Sequence, residues 1–87
     1  MPYIKQIDRD RLDPQINALA SKINTEARAG ELNYIINQLM LKLIGKGKYS
    51  DINELIGAID CAKLEFYRRK AVPYEDEKAK ENGDLEY

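Results

Sequence analysis

Histidine and tryptophan are absent from this 87-residue sequence, and cysteine occurs once, at Cys61. With no histidine and a single thiol, zinc sites of the usual kinds and every histidine-based nucleophile scheme are excluded. One cysteine cannot close an intramolecular disulfide, and a free thiol fits a reducing compartment. Long apolar runs are missing too. None approaches the roughly 18–20 residues of a membrane span, and the amino-terminal stretch MPYIKQIDRD carries no signal-peptide core. The expectation is a cytoplasmic protein with no membrane contact. A glycine-rich phosphate loop is lacking as well. GKGK at Gly45–Lys48 has neither the length nor the flanking strand of one, and reads as a helix stop with solubilising lysines.

What is present is ordinary for a small helical domain: 44% apolar and 33% charged residues, with a net charge of −1. The balance is uneven along the chain. Residues 1–73 hold 12 Lys/Arg against 9 Asp/Glu, whereas residues 74–87 hold 2 against 6. A body of +3 thus precedes an acidic end of −4, and that end can lie against a basic surface of its own or of a neighbour, subject to screening by salt.

The apolar spacing is helical throughout, with no strand-like alternation, and the chain reads as one all-α domain over 1–87. Residues 1–12 resemble an extended arm with Tyr3, Ile4 and Ile7 as apolar anchors. Asp13-Pro14 is a helix start by rule, a carboxylate at the cap before a proline that needs no amide hydrogen. Leu12, Ile16, Leu19, Ala20 and Ile23 then predict a first helix from about Pro14 to Ile23. A second helix is predicted from Glu31 to Ile44. Its apolar residues cover about half the circumference, wider than the stripe of a surface helix, and Tyr34 and Leu41 lie on the far side. It should be central. Ser50 is the expected cap of a third helix over residues 51–70. Its main stripe runs through Ile52, Leu55, Ile56, Ile59, Ala62 and Phe66, and Gly57, Cys61 and Leu64 form a second line.

After the third helix, Pro73 either kinks the chain or restarts it. The segment 73–87 reads as an acidic helical brace or tail, with Pro73 changing its direction and Tyr74 as its apolar foot. Asn82-Gly83 is its stop. The architecture expected is a three-helix antiparallel arrangement with a helical extension after Pro73, completed by dimerisation.

Carboxylates are the remaining catalytic groups. A magnesium-dependent helical hydrolase needs paired acids one turn apart. Here Glu31 is the single acid within the predicted second helix, and Glu54, Asp60 and Glu65 do not share a face at the required spacing. No catalytic, cofactor or metal residue is assigned. Asp60, Lys63 and Tyr67 fall along the third helix, and with Asn37 they define a candidate polar pocket. The plainer reading is that the Lys63 stem packs on apolar neighbours while its ammonium reaches Asp60 or a carbonyl. Arg68-Arg69-Lys70 suggests nucleic acid, yet the three point in different directions, Arg69 follows Glu65 by four residues, and the net charge lacks a basic footprint.

The stretches MPYI, LDPQINALASKI, GELNYIIN, INELIGAIDCAKLEFYRR and PYEDEKAKENGD together resemble a small family of all-helical proteins of unknown function. CAKLEFYRR…PYEDEK is the most specific part. The resemblance covers about residues 1–84. It implies a self-contained domain in a bacterial, archaeal, phage or mobile-element setting, and no catalytic residue or cofactor. The functional expectation is a non-enzymatic homo-oligomeric module for protein–protein contact, with Tyr34, Leu41, Gly57, Cys61 and Leu64 as candidate interface. The rival expectation is a small-ligand or nucleotide-binding protein using the polar pocket.

Overall fold

A computed structural model describes residues 4–87. Helix α1 spans Gln6–Lys22, a single 3-10 turn spans Thr25–Ala27, and α2 spans Arg28–Leu43. Helix α3 spans Tyr49–Phe66. It passes into a π-helical turn, Tyr67–Ala71, and then into α4, Val72–Asn82. No strand occurs among the described residues, and the fold is all-α. The described chain divides into two compact units, residues 4–55 and residues 56–87, with α3 continuing from the first into the second.

The first unit departs from the sequence expectation at its start. Residues 6–12 are helical rather than an extended arm, and Pro14 sits inside α1 instead of opening it. Polar pairing explains this. The Gln6 side-chain amide donates to Asp10 Oδ1 at 2.7 Å, and the Arg9 Nε donates to the Ile4 carbonyl at 3.0 Å. Asp8 lies in the first turn, where a negative charge suits the helix dipole. Ile4 and Ile7 are exposed. Tyr3 lies outside the described residues.

The link from α1 to α2 is held from both sides by Asn24. Its side chain accepts from the Glu26 amide at 3.0 Å, and its own amide donates to Glu31 Oε1 at 2.9 Å. Helical geometry therefore resumes at Thr25, and α2 starts three residues earlier than its apolar pattern predicts. The stop after α2 is as expected. Gly45 and Gly47 take φ of 67° and 76°, values that glycine adopts without steric cost.

Ser50 is not the cap of α3; it lies inside the helix, which begins at Tyr49. Asp51 bonds the helix start from within instead. Its carboxylate reaches back to accept from the Lys48 amide at 3.0 Å, satisfying a donor that the helix start leaves over.

The second unit is a nearly unbroken helical run. Proline in a helix interior removes one amide donor and drives its ring toward the carbonyl four residues back. The chain meets that problem with a wider turn just before Pro73, in which the Val72 amide bonds to the Tyr67 carbonyl five residues earlier. Residues 73–82 thus continue the helical run past Pro73. Gly83, at φ 89°, ends α4 and donates its amide to the Ala79 carbonyl at 2.9 Å.

Among the described residues no side chain is buried. Helix α2 is not the enclosed centre of a single chain: Ile35, Ile36, Met40 and Ile44 are half-buried, while Leu32, Leu39 and Leu43 are exposed.

Candidate functional site

The candidate interface residues sit on open surface. Tyr34, Leu41 and Leu64 are between 57% and 66% exposed, and the Cys61 thiol is exposed. A Cβ placed on Gly57 would meet no heavy atom within 4 Å. Gly57, Cys61 and Leu64 line one shallow groove along α3, together with Ala58, Ala62, Glu65 and Arg68. Its floor is of small side chains at spacings of three and four, which lets another backbone approach closely. Its far end is charged: Glu65 accepts from Arg68 Nη2 at 2.6 Å and from Arg69 Nε. The Glu65–Arg69 pair is the one that the four-residue spacing predicts.

Tyr34 contributes to a second groove, in the first unit. There Leu19 and Ile23 of the α1 end face Gly30, Tyr34 and Ile35 of α2. On the other side of Ile23, Ala20, Ala29 and Leu32 line a further apolar hollow. Both hollows flank the Asn24 joint between α1 and α2.

The residues of the candidate polar pocket each have a local partner. Lys63 Nζ pairs with Asp60 Oδ1 at 3.2 Å, one turn away, and both side chains are well exposed. Such a pair adds little stability. Asn37 donates to the carbonyl and the side chain of Asn33 at 2.9 and 3.1 Å. Tyr67 donates its hydroxyl to Glu75 Oε1 at 2.8 Å. That hydrogen bond, and then the negative charge of Glu75, hold the Tyr67 phenol above its ordinary pKa, with desolvation adding in the same direction. Glu75 was not among the candidates. The signal available was a tyrosine and an acid flanking a proline, but eight residues is not a helical contact spacing.

Tyr74 is exposed, and the Lys78 ammonium lies 5.7 Å from its ring centroid, within reach of a cation–π contact. Lys78 also pairs with Glu81 at 3.1 Å. Among the described residues no group of three His, Cys, Asp or Glu side chains is placed to hold a metal ion, and no helix is long and apolar enough to cross a membrane.

The sequence matches a family over residues 1–85, described as a domain of unknown function (DUF6899), and the chain belongs to that family. No curated protein and no solved structure matches the chain.

Proposed function

We propose that the chain is a non-enzymatic, homo-oligomeric helical module that acts through protein–protein contact, and that its first partner is a second copy of itself. One observation carries the reading: no described side chain is buried, while large apolar residues stand open on every long helix. Ordering the backbone costs roughly 1–2 kcal/mol per residue, and the main offset is apolar area withdrawn from water at about 25 cal/mol per Å². In proteins most helical stability comes from packing an apolar face rather than from propensity. A second copy supplies the missing cover. The simplest closure pairs α2 and α3 of two chains around a two-fold axis into a four-helix antiparallel core.

Charge favours the same partner. The acidic end, −4 over residues 74–87, complements the +3 body of a neighbouring chain, and the net charge of −1 leaves little repulsion between copies. In this arrangement the segment after Pro73 braces the partner rather than its own body, with Tyr74 as the contact. A cytoplasmic, phage or mobile-element setting belongs to this reading.

Sedimentation equilibrium at micromolar concentration tests it. A species at a multiple of the 10.0 kDa chain mass is expected. A clean 10 kDa species that is helical by circular dichroism overturns the reading.

A further inference from the structure

Tyr67 and Glu75 are eight residues apart, yet their side chains meet at 2.8 Å. On a regular α-helix, at about 100° and 1.5 Å per residue, they would be about 80° apart around the axis and about 12 Å apart along it. Tyr67 would instead face Ala71 and Tyr74, four and seven residues on. The π-turn between them changes this. Its bond runs from the Val72 amide to the Tyr67 carbonyl, five residues back, so the turn holds one more residue than an α-turn. Across that extra residue an eight-residue interval behaves like a seven-residue one, and the angular gap shrinks to about 20°. The hydrogen bond is therefore a reading of the register. It forms with the wide turn and is out of alignment without it.

We propose that the Tyr67–Glu75 hydrogen bond is a register latch, which holds the π-turn and so fixes the face that α4 presents in line with α3. Relaxation to a plain α-helix would turn α4 by about 100° about the axis. Tyr74 and the acidic residues after it would move to a different side. The latch thus determines where the foot and the negative charge of the terminal helix point, and it does so whether or not the chain self-associates.

Pro73 is the competing explanation. In the α register its ring would press on the Arg69 carbonyl, and that pressure alone can favour a wide turn. Three variants of the full chain separate the two causes: Pro73→Ala, Pro73→Ala with Tyr67→Phe, and Pro73→Ala with Glu75→Ala. In each, through-hydrogen-bond NMR couplings identify the carbonyl that accepts from the Val72 amide, and circular dichroism checks that the helix persists. Pro73→Ala alone should keep the Tyr67 carbonyl as acceptor. Adding Tyr67→Phe, which removes one hydroxyl and no packing, should move the acceptor to the Arg68 carbonyl, and Glu75→Ala should do the same. If Pro73→Ala alone already moves the acceptor, proline holds the turn and the latch is overturned. It is overturned equally if the wide turn survives both double substitutions.

Discussion

Replacing Gly57 with leucine puts the proposed interface to a direct test, because the two environments available to that position predict opposite signs. Gly57 lies in the middle of α3 with open space where a side chain would grow. In an isolated chain, leucine there gains only helix propensity, about 0.8 kcal/mol over glycine. The variant would then be more stable and unchanged in mass. If a second copy's helix lies along the groove of Gly57, Cys61 and Leu64, the added side chain instead overfills a close contact, at roughly 1–3 kcal/mol. A symmetric dimer carries the substitution twice, which doubles that cost to roughly 2–6 kcal/mol. The propensity gain is also carried twice, about 1.6 kcal/mol, which leaves a net cost of roughly 0.4–4.4 kcal/mol. At about 1.4 kcal/mol per decade, the dissociation constant should rise by roughly twofold to a thousandfold. Sedimentation equilibrium across a concentration series reads the constant, and a circular dichroism melt reads the stability. Gly57→Ala should fall between wild type and leucine. A leucine variant that melts higher and sediments identically refutes the reasoning and places the groove in water.

Tyr74→Ala should weaken association more than Asp76→Ala or Glu77→Ala, since a ring withdrawn from water outweighs an exposed ion pair worth about 0–1 kcal/mol; equal dissociation constants across the three would remove Tyr74 as a contact. Asp51→Ala deletes the carboxylate that accepts from the Lys48 amide and should cost about 0.5–2 kcal/mol in denaturant titration, the usual range for a helix cap. A midpoint that does not move would show that water replaces it at no cost. Tyr67 should ionise above the ordinary 10.0 of a tyrosine, and Glu75→Ala should bring it back down, as followed by NMR of the tyrosine rings. A raised pKa means that the folded chain favours the neutral phenol. The contribution of this hydrogen bond is thus complete below the unfolded value and lost as pH rises through the folded one.

Local signals in the sequence were legible, and those depending on distance were not. Gly45 and Gly83 end helices where glycine says they should, and Glu65–Arg69 follows from a spacing of four. The start of α1 was hidden because hydrophobic periodicity is silent over residues 6–12. What carries the helix there is polar, the Gln6–Asp10 and Arg9–Ile4 hydrogen bonds, and Asp13-Pro14 offered a more familiar beginning. Ser50 misled in the same way, because the helix already begins at Tyr49 and the side chain that bonds its start is Asp51, which accepts from the Lys48 amide. The π-turn had no sequence signature beyond Pro73. The excess of apolar surface was legible in the far-side Tyr34 and Leu41 of α2, and both are exposed. Asp60, Lys63, Tyr67 and Asn37 were harder to place, because each of them has a short-range polar partner that spacing alone does not rank against a shared pocket.

The Asn24 joint, the Asp51 reach-back and the Tyr67–Glu75 tie share a property with kinetic consequences: none joins side chains or backbone more than eight residues apart. Such bonds close short loops, which takes about 10–100 ns, and helix growth around them is complete on the order of a microsecond. Little chain entropy has to be lost over long sequence separations before they form. On the proposed reading the slow step of folding is then not a search within the chain but a collision between two chains. Folding should be second order in protein, its half-time doubling when concentration is halved, and dilution should unfold the molecule as effectively as heat.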